Sequence, residues 1–240
     1  MMRKAGVFAH SLLLILKATD KCLKDFGGHL GGVVKVTAIQ AQRGRRKRVN
    51  VFLDGSFAFS LEAEAVVEAA LEVGQELSHA QIEELVRAGL FHRCFDAALR
   101  FLSYRPRSES EIRRRLNRRG FDDDTVEKVL VRLREQGLVD DVAFAQFWRD
   151  NRDSFSPRSK RLVVLELRQK GVDADIAIET TQGLDDEASA YQAAQKKARL
   201  LARSDYRSFC RRLGAYLRRR GFSYEVTNHT VERLWREQQV

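Results

Sequence analysis

Three glycines set the period of this chain. Gly120, Gly171 and Gly221 lie 51 and 50 residues apart, and each closes the same kind of phrase. The phrases read EIRRRLNRRGF (Glu111–Phe121), LVVLELRQKGV (Leu162–Val172) and CRRLGAYLRRRGF (Cys210–Phe222). A leucine stands four residues before each glycine (Leu116, Leu167, Leu217), basic residues fill the turn before it, and an apolar residue follows it. Physics links the parts. Glycine closes a helix in the left-handed conformation without Cβ strain, basic side chains meet the negative end of the helix dipole, and the apolar residue folds back on the helix. A fixed period with matching helix ends is the mark of tandem structural units that share cores with their neighbours.

The rest of the pattern extends this reading. Ser108 with Glu111 reads as a capping box, and Ser156-Pro157 as a cap before a first-turn proline. Asp173, Asp205 and Ser223 are further helix starts. A second apolar stripe follows each glycine: Val126, Val129, Leu130 and Leu133, ended by Gly137; then Ile176 and Ile178; then Val226, Val231, Leu234 and Trp235. Val142, Phe144, Phe147 and Trp148 mark one helix between repeats, and Tyr191, Ala194 and Leu200 another. Pro106 and Pro157 are the only prolines, which suits long helical stretches. The middle repeat is the most apolar, through Leu162, Val163, Val164, Leu165 and Leu167, and is expected to be the most buried.

Ahead of the repeats the period is two. Val34, Val36, Ala38 and Gln40 alternate loosely with Lys35, Thr37, Ile39 and Ala41, Val49, Val51 and Leu53 alternate with Asn50 and Phe52, and Asp54-Gly55 is a tight-turn signal before Phe57 and Phe59. This predicts a three-stranded antiparallel meander with a basic tip at Arg43–Arg48. Helices follow, one from Leu61 to a glycine cap at Gly74 and one from Ser78. Residues 1–32 read as an extension joined through Gly27-Gly28 and Gly31-Gly32; the Leu12–Leu16 run is too short for a membrane span. The fold class is therefore mainly α: tandem three-helix repeats in an elongated stack, with a small N-terminal antiparallel β-meander plus helices. The expected divisions are 1–32, 33–95, 96–152, 153–202 and 203–240.

The formal net charge is +10, and residues 97–240 hold thirty basic against twenty-two acidic side chains. Arginine-rich surfaces of this kind suit a polyanion or an acidic protein face. Cys22, Cys94 and Cys210 are too scattered for a disulfide framework or a metal set, and read as small buried residues in a reducing compartment. No phosphate loop, zinc spacing or nucleophile elbow occurs, and the five histidines are dispersed, so no enzyme, cofactor or metal site is expected.

RPRSESEIRRRL with its following GF, and GLVDD before an aromatic-rich helix, resemble the first repeat of the RecX family; SPRSKRLVVLELRQKGVD and RRLGAYLRRRGFSYEV resemble its second and third. VFLDGSFAFSLEAE is similar to the β-hairpin extension of some members. The resemblance implies a regulator, mainly an inhibitor, of the RecA recombinase; a cytoplasmic monomer is the expected state. It implies binding in the groove of the RecA–single-stranded-DNA filament, with effects on ATPase, strand exchange and coprotease activity, and with duplex DNA as a further candidate partner. A directly DNA-binding helix-turn-helix regulator and a protein-only scaffold are the competing readings.

The candidate contacts are Arg105, Arg107, Arg113, Arg114, Arg118, Arg119, Arg158, Lys160, Arg161, Arg168 and Lys170, a basic concave stripe, with Arg218, Arg219 and Arg220 as a second patch. The competing explanation is solubility and dipole complementation at helix ends. Asp140-Asp141 are read as a helix cap rather than catalytic carboxylates, and Trp148 and its aromatic neighbours as core.

Overall fold

The computed structural model describes residues 33–42 and 48–239. The expected extension and glycine link of residues 1–32, Cys22, and the tip at 43–47 lie outside the described residues. The described residues fall into two compact units: one runs to Tyr104 and includes Ile112–Leu133, the other joins Arg105–Glu111 to residues from Arg134 onward.

The first unit begins with strands β1 (Val34–Ala41), β2 (Arg48–Leu53) and β3 (Ser56–Glu62), then helix α1 (Ala63–Glu68), strand β4 (Glu76–Leu77) and helix α2 (His79–Leu102). The sheet is antiparallel in the order β3-β2-β1-β4, so the meander gains a fourth, two-residue strand beside β1. Two bulges re-phase the alternation. One, between Val36 and Ala38, turns Ile39 rather than Ala38 toward the core; the other, opposite Val51/Phe52, lets Ala58 and Phe59 both be buried. Leu61, expected in a helix, belongs to β3 and is 1% exposed. Gly74 does not cap α1. The left-handed residue there is Ala70 (φ 45°), while Gly74 turns the chain toward β4 and donates its N–H to Val36. Ser78 caps α2 with a full capping box through Gln81. That helix runs unbroken past residues 95 and 96.

The repeats supply α3 (Glu109–Asn117), α4 (Asp123–Glu135), α5 (Asp141–Phe155), α6 (Lys160–Gln169), α7 (Ala174–Thr181), α8 (Asp186–Leu200), α9 (Tyr206–Arg219) and α10 (Tyr224–Glu237). The glycine phrase is realised three times in the same geometry. Gly120, Gly171 and Gly221 have φ of 88°, 85° and 88°. The residue after each, Phe121, Val172 and Phe222, donates its N–H to the carbonyl of Leu116, Leu167 and Leu217 and is itself buried. All three leucines are fully buried.

Packing groups the helices in threes. Phe144 and Ala145 of α5, Val163 and Leu167 of α6, and Val172 and Ala177 beside and within α7 form one core. Ala190, Ala194 and Ala198 of α8 share another with Phe209, Leu213 and Leu217 of α9 and Val231 and Leu234 of α10. Each helix expected to close one repeat thus packs with the next pair. The middle set does not have the richest core: Leu165 is 50% exposed, and six buried residues form this core against eleven in the last. An apolar run as dense as LVVL goes round the helix, so part of it must face outward. Ile178 and Leu200 are likewise exposed, at 48% and 73%.

The start of α6 differs from expectation too. Ser159, not Ser156, is the N-cap, and Ser156 ends α5. Ser159 matches Ser108, which accepts the Glu111 N–H at the head of α3; each stands two residues after a proline, in a Pro-Arg-Ser phrase that recurs at 51 residues.

Candidate functional site

The caps lead directly to the basic residues, because the chain uses several of them to join its own parts. Asp140 caps α5 through the Val142 and Ala143 N–H groups, while Asp141 accepts the Glu109 N–H at the head of α3 (2.9 Å). Asp185 and Asp186 repeat the arrangement: Asp185 caps α8, and Asp186 accepts the Lys160 N–H at the head of α6 (2.7 Å). The buried Ser108 hydroxyl donates to the Lys170 carbonyl (2.6 Å), and the Ser159 N–H donates to the Arg220 carbonyl (3.0 Å). A cap, a paired aspartate and a glycine turn thus form one joint, made twice. Asp140 makes the expected cap of α5, whereas Asp141 holds the head of α3 instead.

Several candidate cations belong to this framework. Arg105 makes a two-pronged pair with Glu111 (2.9 and 3.1 Å), and Lys170 reaches the same carboxylate (3.0 Å). Glu166 accepts from the Trp148 indole N–H (2.9 Å) and Arg152 (2.7 Å), and pairs with Arg158. The indole is the common floor: Lys170 Nζ lies 4.0 Å from its centroid, the Arg152 guanidinium 4.4 Å and that of Arg105 5.9 Å. Trp148 is therefore a packed anchor among cations. Arg220 donates to the Pro157 carbonyl (2.9 Å) and the Ser156 hydroxyl (3.2 Å) over the ring of Tyr216. Lys160 reaches the Gln182 carbonyl (3.4 Å).

In the other unit, Arg113 pairs with Glu127 (2.6 Å), and Arg118 donates Nε to the Arg114 carbonyl (3.1 Å). Arg115 lies over the ring of Phe101. Burial, followed by the like charges of Arg115 and Arg100, pushes the Arg119 guanidinium below its ordinary value. Arg107 is half-buried beside the Ser108 cap. Arg114, Arg118, Arg161, Arg168, Arg218 and Arg219 are exposed.

The electrostatics of the joint are uneven. Burial disfavours the Glu111 charge, but hydrogen bonds from Arg105 and Lys170, with their charges, outweigh it and hold the carboxyl below its usual range. Asp141 moves the other way, raised by burial and by the neighbouring charges of Glu109 and Asp140 against the Glu109 N–H bond. Burial pushes the Cys94 thiol up to about 12, so it sits in the core as an inert group.

Sequence reasoning passed over three basic residues that the structure gathers with Arg219: Lys197, Arg211 and Arg212 line one cleft with it. The signal was available, since Arg211, Ala215 and Arg219 recur at the four-residue spacing of one helix face.

Comparison with known proteins places this architecture. Family models described as the regulatory protein RecX N-terminal domain, the first RecX three-helix domain and the third RecX three-helix domain match residues 34–78, 94–133 and 185–231. A regulatory protein RecX of Clostridium perfringens (strain SM101 / Type A) is 30% identical over 205 residues, covering 83% of this chain and 96% of that protein. That of Bacillus velezensis is 28% identical over 200 residues, 82% of this chain and 76% of its own length. A crystal structure of regulatory protein RecX superposes with a TM-score of 0.61 at 28% identity, over 83% of this chain and 99% of that one. The RecX crystal structure from Lactobacillus salivarius shares the fold, with a TM-score of 0.52 at 23% identity over 61% of this chain and 97% of its own.

Proposed function

The chain belongs to the RecX family of regulatory proteins, and from that premise we propose that it regulates the RecA recombinase, mainly as an inhibitor, by binding the RecA–single-stranded-DNA filament. The observation that carries the reading is the match to the family along the chain, in the β-rich front end and in two of the three-helix sets. The charge distribution supports it, because an arginine surplus on the repeats suits a filament coated in phosphates and acidic side chains. Within that reading, the contacts come from the exposed arginines, Arg114, Arg118, Arg161, Arg168, Arg218 and Arg219. Lys170 and Arg220 join neighbouring repeats, and Arg105 and Arg158 brace their own. The protein acts as a cytoplasmic monomer without catalysis of its own. No helix among the described residues is long and apolar enough to cross a membrane.

The test follows ATP hydrolysis by RecA on single-stranded DNA while the protein is added. Inhibition at concentrations below that of RecA is the expected result. Replacing Arg114, Arg118, Arg161 and Arg168 by Ala should weaken inhibition while leaving the circular dichroism spectrum unchanged. Unaltered hydrolysis with the wild-type protein would reject the reading.

A further inference from the structure

Helix α9 differs from every other helix of the described residues. Arg207, Arg211, Arg212, Arg218 and Arg219 lie on it, and it is the one helix there that carries no acidic residue. Its buried face is apolar, through Phe209, Leu213 and Leu217. Its arginines therefore crowd the remaining face, where like charges four residues apart, such as Arg207 and Arg211, destabilise a helix. Elsewhere the chain neutralises such groups: Arg105, Arg113, Arg152, Arg158 and Lys170 each meet a carboxylate.

The crowding has a shape. The end of α8 and the outer face of α9 border an open cleft of about 470 Å³ lined by Lys197, Arg211, Arg212 and Arg219, together with Leu200, Leu201 and Ala215. No carboxylate is among its lining residues, and none among the described residues comes within ion-pairing distance of those four cations. Ala215, one turn from both Arg211 and Arg219, keeps the middle of the cleft open. Leu200 stands at the cleft 73% exposed, an apolar surface beside the charges.

We infer that this cleft is a phosphate site that holds the backbone of single-stranded DNA, and that the chain uses it to bind such a strand without the recombinase. Guanidinium groups that line one cleft without an internal carboxylate are the donors that phosphate oxygens accept from, and a bound anion relieves their mutual repulsion. The exposed Leu200 beside them offers an apolar contact to unstacked bases, which a paired duplex keeps inside its stack. The proposed function supplies only the identity of the polymer; the cleft itself stands on its geometry and charge.

The experiment measures fluorescence anisotropy of a labelled oligothymidylate of roughly 15 nucleotides, with the full-length protein alone, across a salt series. Arg211→Ala/Arg212→Ala is compared with Arg87→Ala/Lys128→Ala, which removes the same charge from exposed positions of the other unit. The cleft variant is expected to bind roughly tenfold more weakly and to lose about 1 to 1.5 from the magnitude of the log–log salt slope, since each phosphate contact on a single strand contributes about 0.7. The control should keep the wild-type slope. Inorganic phosphate and a duplex of the same length serve as competitors. Displacement by the single strand well before either is expected; displacement by phosphate at equal nucleotide-phosphate concentration would mean an isolated anion site and overturn the assignment to a strand. Absence of binding by the wild type, or equal losses in both variants, would overturn it as well. RecA ATPase is read on the same preparations: wild type that binds the strand but leaves ATPase untouched rejects the proposed function and keeps the cleft, and the converse result does the opposite.

Discussion

At the scale of single residues, charge alone did not decide which basic groups face outward. Lys170 and Arg168 sit two positions apart at the end of α6, yet Lys170 is bound to Glu111 over Trp148 while Arg168 is exposed. The carboxylates of the joint make this testable by pH. The carboxyl of Glu111 is held low, so its contribution is present above the unfolded carboxylate range and is lost as pH falls through its folded value. Glu111→Gln should cost about 1 to 2 kcal/mol near neutral pH, and the gap to wild type should close in acid. Asp141 is raised, so what it contributes is present in acid and is lost as pH rises through its folded value. Asp141→Asn keeps an oxygen for the Glu109 N–H, and wild type should lose ground to it as pH rises. Thermal melting of the three proteins across the acid range checks both trends, and parallel curves would contradict them.

At the scale of elements, a helix end that looks local is also a docking surface. Gly221 closes α9 at φ 88°, and a Cβ there would lie 2.5 Å from Ser159 Oγ and 2.8 Å from Leu162 Cβ, at the head of α6. Gly137 is also left-handed, at φ 64°, but nothing lies within 4 Å of a Cβ built on it. Gly137→Ala should therefore cost only the backbone strain, about 1 to 2 kcal/mol. Gly221→Ala should cost more, because the second joint must open as well. Urea unfolding midpoints compare the two, and equal losses would mean that the joint yields freely. The glycine phrase was legible in the sequence because capping is local chemistry. Its partner was not: Ser159 lies 62 residues before Gly221, and no short-range pattern records that they meet.

At the scale of the molecule, the second helix triple stands between two copies of the same joint. Its α6 cap is held by Arg220 and Asp186, and its α6 end holds Ser108. Leu167 is fully buried in its core. Leu167→Ala should cost about 2 to 5 kcal/mol, as large-to-small core changes do. In repeat proteins such a loss passes to neighbours through their interfaces. Amide hydrogen exchange should therefore rise not only in α5–α7 but also at the head of α3 and in the turn at Arg220. Exchange confined to α5–α7 would show that the joints carry little coupling.

The repeat, the helix caps, the two-residue period of the front end and the family resemblance were all determined by the sequence itself, because each depends on neighbours within a few residues or on recurrence along the chain. Tertiary structure alone decided which helix packs with which pair, where the bulges re-phase β1 and β3, and which cations are committed. Those outcomes depend on carboxylates and surfaces brought from distant parts of the chain: Glu111 meets Lys170 across 59 residues, whereas the cleft that collects Lys197, Arg211, Arg212 and Arg219 collects no carboxylate with them.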